Sequence, residues 1–532
     1  MNGARREAWL LAFATAGIVF LLWQLLDFAY GRDQGIYATV ARTLREGGVP
    51  YRDAWDFKPP AIFFAYALAD AVAGSGPRAI RILEAACLIS LVPACALLAR
   101  RYVGDPRAGV LSAALAILVY VQSEFWDTAQ PESFGGVCVI WGLALFALTH
   151  DTGRAPGRRD LVLWATSGLL FGVASLFKPT VGIAAAAPIA FAFADLRRRP
   201  GRSPRAQVAR FASAFGAGLF APAVACALFF AVHGAFGGLW DTLVVFAPRY
   251  TAVSWQSGPA SLVANVFYDW FIRYSPVNAV GVLLLALPTT TPGERAGSRL
   301  LGTAILLLLI GVAVQLKLFL YHYGAVLPLT AVLASWGYWE LWRRLRPRWY
   351  GALILSAMVV VLALARPRTV PTFDPFVSRA ELRLAEVLHP DRRDQIRDRL
   401  YSLYDYSAHN NRVVAAWIRA ETPASAPIYV WGFTPELYVA AARPAASRYI
   451  YDVPQRAPWS RTAARDELMR DLGRSRPLVI VVEHGDAVPQ VTGTFADSAT
   501  ELVGFEALRS LVASEYRRVF QAGEFDVYRR ID

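Results

Sequence analysis

A carboxylate and a lysine framed by aromatic residues stand out near the start of the sequence. These are Asp33, in Asp27-Phe28-Ala29-Tyr30-Gly31-Arg32-Asp33-Gln34-Gly35, and Lys58, in Trp55-Asp56-Phe57-Lys58-Pro59-Pro60. Between them Ile36, Val40 and Leu44 recur every fourth residue with Arg42, Arg45 and Glu46 opposite, the pattern of an amphipathic helix lying on a membrane surface. Asp33 then sits at the bilayer edge just before that helix, where a charge is costly unless it is solvated, paired or at work. A carboxylate so placed can act as a general base; capping the helix is the plainer role open to it.

Lysine is a second signal. The chain holds 51 arginines and three lysines, Lys58, Lys178 and Lys317. Each falls at the outer end of an expected hydrophobic segment, against the trend of the arginines. Snorkelling explains one such lysine, but three ammonium groups at one membrane face suit a phosphate carried on a lipid, because ammonium is a compact donor to phosphate oxygens. The same face collects Arg81 at the opening of a span, Gln130 and Glu132 where two spans meet, and His322 between Tyr321 and Tyr323. Arg249 and Tyr250 in a long outer loop, Tyr37 in the amphipathic helix and Asp56 beside Lys58 complete the candidates.

A base, a set of cations and lipid access suit glycosyl transfer from a polyprenyl-phosphate sugar. The leaving group is a phosphate that fixed Lys and Arg charges can neutralise, so no nucleotide site is needed. One acid, best placed in Asp33, would take the acceptor's proton in a single inverting displacement through an oxocarbenium-like transition state.

The elements that must position these residues are mostly membrane helices. At 55% hydrophobic and 18% charged over 532 residues, with mean hydropathy +0.35, the chain is too apolar for a soluble enzyme. Apolar runs near 8–29, 79–99, 108–124, 131–149, 161–177, 179–195, 209–232, 274–289, 299–316, 319–338 and 349–365 predict eleven spans. Pro59 to Ala73, at 15 residues, is too short to cross and is expected as a juxtamembrane or re-entrant helix.

Residues 1–366 carry 32 Lys+Arg against 19 Asp+Glu, whereas residues 367–532 carry 22 of each. The excess lies in short loops, among them Arg100, Arg101 and Arg107; Arg154, Arg158 and Arg159; and Arg197, Arg198, Arg199, Arg202 and Arg205. That is the positive-inside pattern of a membrane protein and not a nucleic-acid groove. It places Asp33 and the C-terminal part outside. Cys87, Cys95, Cys138 and Cys226 lie within the apolar runs and are expected as small buried hydrophobes. Beyond 366 the composition becomes ordinary, with strand-like runs at Ile428–Trp431, Arg448–Tyr451 and Leu478–Val482 between helical patterns near 378–420, 461–473 and 498–514. Two domains follow: a transmembrane one over 1–366 and an extracytoplasmic α/β one over 367–532.

Asp33-Gln34, the amphipathic helix and Phe57-Lys58-Pro59-Pro60 resemble the first outer loop of GT-C glycosyltransferases, in the branch of protein O-mannosyltransferases and the lipid A aminoarabinose transferase. Further matches, in order, are Arg81, Gln130-Pro131-Glu132, Phe177-Lys178-Pro179-Thr180, and Tyr321-His322-Tyr323 ahead of Leu327-Pro328. The resemblance covers residues 8–366. It implies a GT-C fold, Asp33 as the catalytic acid/base, Lys58, Arg81 and Lys178 near the donor phosphate, and Glu132 as the second acidic position. Family members often carry a second acid directly after the first, where Gln34 stands here, and Phe57 precedes Lys58. No cofactor is therefore expected, with a divalent metal as the disfavoured alternative.

The expected partners are a polyprenyl-phosphate sugar, a glycan, lipid or protein acceptor, and membrane lipids, in a bacterial inner membrane; the oligomeric state is left open. The rivals are a lipid-linked oligosaccharide ligase or polymerase, for which an arginine-rich late loop is expected, and a transporter or flippase, for which midplane charges and paired repeats are expected.

Overall fold

A computed structural model of the chain describes residues 3–150, 156–197, 203–253, 258–286, 291–364, 376–403 and 406–531. Of the expected arginine clusters, Arg154, Arg198, Arg199 and Arg202 lie outside these residues. Five helices are long and apolar enough to cross a membrane: Pro77–Tyr102, Arg158–Phe177, Pro179–Leu196, Pro204–Val232 and Pro292–Ala313. Shorter apolar helices cover Leu11–Leu25, Ala61–Ala73, Arg107–Val121, Pro131–Ala147 and Gly351–Ala363.

Two of the expected spans differ. Of the expected span 274–289, whose last three residues lie outside the described ones, the described part carries the nine-residue helix Pro276–Leu284. Residues 319–338 open on a 3-10 turn, Leu320–Tyr323, so that the α-helix starts at Val326 and runs on to Leu345. Pro328 is tolerated there because a proline in the first turn forfeits no intrahelical bond. The cysteines are less uniform than expected, with Cys95 buried and Cys87, Cys138 and Cys226 half-buried.

The chain divides into two compact units. The first comprises Met1–Asp27, Arg81–Leu228 and Gln256–Val377. Its helices approach closely where side chains are absent. A Cβ on Gly168 would collide with the Phe215 carbonyl, and one on Gly218 with the Ala165 carbonyl, so the helices Arg158–Phe177 and Pro204–Val232 meet backbone to backbone.

The second unit gathers Phe28–Ile80, Phe229–Trp255 and Ser378–Asp532. It contains a four-stranded sheet ordered Ile428–Trp431, Val479–Glu483, Phe525–Arg530, Tyr516–Ala522. The first pair is parallel and the others antiparallel. Both strands of the parallel pair are buried along their whole length, as strands covered on two faces must be. Arg448–Tyr451, expected as a strand, is instead a bend beyond the bridge at Ala445. The hairpin Tyr516–Ala522/Phe525–Arg530 was not expected: its exposed first strand carries charge and little alternation.

The amphipathic helix is Arg32–Arg45, but it does not lie open on a surface. Ile36, Tyr37, Val40 and Ala41 are buried, and the face opposite the apolar stripe packs on Glu436–Ala441. There Thr39 Oγ1 donates to the Pro435 carbonyl at 2.9 Å, and Arg42 Nη1 to the Tyr438 carbonyl at 2.8 Å. The periodicity found one buried face and could not see the cover on the other. Gly35 permits the approach, since a Cβ there would lie 2.9 Å from Cβ of Glu436.

Gly35→Ala is accordingly expected to destabilise the second unit by about 1–3 kcal/mol through overpacking. Thermal unfolding of the purified protein in detergent measures this; an unchanged midpoint would show that the two helices can move apart without cost.

Candidate active site

Asp33 occupies the first turn of the helix Arg32–Arg45. That start is set by Gln34, whose Oε1 accepts the Gly31 N–H at 3.0 Å. Gln34 is fully buried, so the residue in the place of a second acid works as a helix cap. Asp33 Oδ2 lies 3.7 Å from Lys58 Nζ.

Lys58 reaches it from a loop tied down at several points. Tyr51 donates its hydroxyl to the Lys58 carbonyl at 2.8 Å, and the Trp55 N–H donates to the Arg448 carbonyl at 2.8 Å. Asp56 is fully buried. Its Oδ1 accepts the Tyr451 hydroxyl at 2.7 Å, and its Oδ2 faces the Lys58 N–H at 3.4 Å. Rings close around this group. Phe57 packs on Tyr250 at 4.3 Å between centroids, and Trp55 on Phe246 at 4.8 Å and Tyr451 at 5.8 Å.

Burial pushes the Asp56 carboxyl up to about 6, against the opposing pull of Lys58 and of the Tyr451 hydrogen bond. One residue before Asp33, Arg32 Nη2 donates to Oε1 of the buried Glu483 at 3.0 Å.

The other predicted members of this unit stand differently. Tyr37 is wholly buried against Tyr66 and Phe63, at 5.5 and 6.2 Å between centroids, and so is packed as core. Arg249 is exposed on the short helix Ala247–Ala252.

The first unit holds a second cluster, around Glu132. Gln130 and Pro131 start the helix Pro131–Ala147, which leaves Glu132 in its first turn, fully buried. Its Oε1 is paired with Lys178 Nζ and lies 4.0 Å from His322 Nε2. Lys178 projects here because the helix Arg158–Phe177 must stop: a residue before proline is driven to extended backbone, and Pro179 follows. His322 Nδ1 lies 2.7 Å from the Lys317 carbonyl. A carbonyl only accepts, so the proton sits on Nδ1 and Nε2 faces Glu132. Lys317 is itself buried, and Lys178 Nζ stands 6.0 Å from the Tyr321 ring centre. Gln130 turns away, donating Nε2 to the Trp126 carbonyl at 2.8 Å.

Arg81, predicted near a phosphate, is fully buried in a network of its own. Its guanidinium donates to Glu84 and Thr128 at 2.9 Å each and to the Phe125 carbonyl at 2.9 Å. Glu84 in turn accepts from the Tyr120 hydroxyl and the Ala129 N–H. This network anchors the turn that leads to Glu132. Among the described residues no three His, Cys, Asp or Glu side chains come together as a metal-ligand set.

The sequence profile of the dolichyl-phosphate-mannose-protein mannosyltransferase family matches residues 57–225. A search of curated protein sequences returns no match. Two solved structures share the fold over nearly the whole length. ArnT from Cupriavidus metallidurans in the apo state is 16% identical, covering 98% of this chain and 97% of that one, with TM-score 0.60. The same protein bound to undecaprenyl phosphate is 17% identical, covering 97% of each chain, with TM-score 0.59.

With several apolar helices long enough to cross a bilayer, the chain is a multi-pass membrane protein with the fold of ArnT. Over residues 57–225 it resembles the dolichyl-phosphate-mannose-protein mannosyltransferases.

Tyr451, Glu84, Arg32 and Glu483 were not among the predicted site residues. Glu84 stands three residues after Arg81 on one helix, a spacing that could have found the pair. Tyr451 and Asp56 are 395 residues apart, and no local pattern joins them.

A carboxyl whose pKa is higher in the folded than in the unfolded state holds its proton more tightly when folded. Its contribution is complete below the ordinary carboxylate range and is lost as pH rises through about 6 for Asp56. Wild-type protein in detergent is therefore expected to lose thermal stability between about pH 4 and 6, and Asp56→Asn to flatten that limb. Parallel curves for the two proteins would rule Asp56 out as the group responsible.

Proposed function

We propose that the protein moves a sugar from a polyprenyl-phosphate carrier to an extracytoplasmic acceptor, a glycan, lipid or protein, with Asp33 as the general base. The observation that carries this reading is the Asp33 carboxylate 3.7 Å from the Lys58 ammonium, in a chain with the fold of a lipid-phosphate-binding transferase. The acceptor O–H or N–H gives its proton to Asp33 as its oxygen or nitrogen bonds to the anomeric carbon. The bond from that carbon to the phosphate oxygen breaks, its electron pair stays with the phosphate, and configuration inverts.

Lys58, Lys178, Lys317, His322 and Arg81 are proposed to favour the phosphate charge, Arg81 by holding the turn before Glu132. Glu132 is the second acid, the partner that keeps Lys178 and His322 in place. Asp56, Gln130, Arg249, Tyr250 and Tyr321 complete the proposed substrate-binding set, while Tyr37 packs the helix that carries Asp33. The kinship with ArnT, crystallised with undecaprenyl phosphate, supports the donor class.

The proposed setting is a bacterial inner membrane crossed eleven times, with residues 367–532 as an extracytoplasmic α/β domain. The grouping of residues 28–80 and 229–255 with the C-terminal part in one unit supports placing the Asp33 loop and that domain on the same side. Metal-independent transfer is part of the proposal, supported by the capping role of Gln34 and by Phe57 in front of Lys58.

The test is release of polyprenyl phosphate from a panel of polyprenyl-phosphate sugars in detergent, with membrane extract as acceptor. Asp33→Asn is expected to cost on the order of 100-fold or more in turnover, and EDTA to cost nothing. Turnover untouched by Asp33→Asn would remove the base; activity lost to EDTA and restored by one divalent ion would replace the metal-free scheme.

A further inference from the structure

We infer that Glu483, at the end of a strand in the C-terminal part, is a positioning residue for the base: it holds Arg32 and so fixes Asp33 next to it. The inference rests on the assignment of Asp33 made above. Glu483 is fully buried, and its two oxygens meet three donors. Oε2 accepts the Phe433 N–H at 2.7 Å, while Oε1 accepts the Thr434 hydroxyl at 2.8 Å and Arg32 Nη2 at 3.0 Å. Burial and Asp486 push this carboxyl up. Two of its three donors, a backbone N–H and a guanidinium, can only donate, which matches the carboxylate form and makes Arg32 its counter-ion.

The site is built for that carboxylate. A Cβ on Gly432 would lie 2.5 Å from Oε2 of Glu483, so the turn after the strand Ile428–Trp431 leaves room for it and for nothing larger. The guanidinium is held between rings, its carbon 5.7 Å from the Tyr406 ring centre and 5.8 Å from that of Phe433. The Tyr406 hydroxyl also lies 2.7 Å from the Tyr30 carbonyl, two residues before Arg32. Arg32 is the first residue of the helix and Asp33 the second. With the Arg32 side chain held by Glu483 and the backbone just before it tied at the Tyr30 carbonyl and the Gly31 N–H, the rotation of the first turn is set, and with it the direction in which the Asp33 carboxylate leaves the backbone. A base misplaced by an ångström loses rate while the substrate still binds.

Arg32→Gln, Glu483→Gln and the double variant of the full-length protein, purified and monodisperse in detergent, test this with whichever polyprenyl-phosphate sugar wild type turns over. Each single change is expected to lower kcat on the order of 10–100-fold with KM for the donor within about twofold. The double variant should be no slower than the slower single, because the two residues act as a unit. Arg32→Lys, which keeps the charge and loses the fork, should fall between wild type and Arg32→Gln, and it serves also if Glu483→Gln does not fold.

A merely structural pair would lower the yield of folded enzyme and leave kcat per folded molecule unchanged, and that result overturns the inference. So do losses that multiply in the double variant. Asp33→Asn runs alongside: its inactivity with wild-type kcat in the Glu483 and Arg32 variants sinks the positioning role alone, whereas full activity of Asp33→Asn removes the base and the positioning together.

Discussion

A carboxylate buried at the end of a strand has to be answered by a positive charge, and in this protein the answer to Glu483 is Arg32, 451 residues earlier in the chain. Breaking such a pair by removing one partner leaves an uncompensated buried charge, a loss of about 3–5 kcal/mol. That asymmetry gives the pair its authority over the second unit. The helix Arg32–Arg45 can begin in one place only, its apolar stripe falls on one neighbour, and its Gly35 face falls on Glu436–Ala441. Lys58 is brought to Asp33 by a different set of ties, from Tyr51 and Arg448, so the two partners of the 3.7 Å contact are fixed independently.

The first unit meets the same constraint by sharing. Glu132 is a single buried acid between two groups able to bear positive charge, Lys178 and His322. The imidazole is oriented by a backbone carbonyl and therefore cannot trade its nitrogens freely. Arg81 and Glu84 form a closed pair of another kind, whose bonds run to a turn of backbone at Phe125 and Ala129. A guanidinium engaged in that way shapes a loop. Lysines beside a carboxylate keep a compact charge that an arriving phosphate can compete for.

How far the sequence could be read follows from the range of each interaction. Lys178 was legible because the cause is local: Pro179 stops the preceding helix whatever surrounds it. The helix around Ile36, Val40 and Leu44 was legible as an element, since periodicity depends on one chain segment. Its location was not, because Arg42 on the polar face reads as solvated until the carbonyls of Tyr438 and Arg443 are known. Tyr37 is a candidate substrate contact by its place in the amphipathic helix, while its ring packs on Phe63 and Tyr66 from a helix further along. The run Arg448–Tyr451 has strand composition and no strand partner; its residues spend their side chains on the loop that carries Lys58, through Arg448 and Tyr451. Composition reports what a residue prefers, and tertiary pairing decides what it does.

The order in which the chain is made gives the discontinuity of the second unit a meaning in time. Arg32 leaves the ribosome well before its counter-ion, since Glu483 follows 451 residues later. At about 5–20 residues per second, that is an interval of roughly 25–90 s. Throughout it Arg32 has no counter-ion from Glu483, and the Gly35 face of its helix lacks its cover. The part of the protein that presents Asp33 is therefore held by a strand synthesised hundreds of residues later, with Tyr516–Ala522 and Phe525–Arg530 of the same sheet still to follow. A nascent or truncated chain, already threaded into the lipid, holds every residue of the Asp33–Lys58 contact without the frame that sets its geometry.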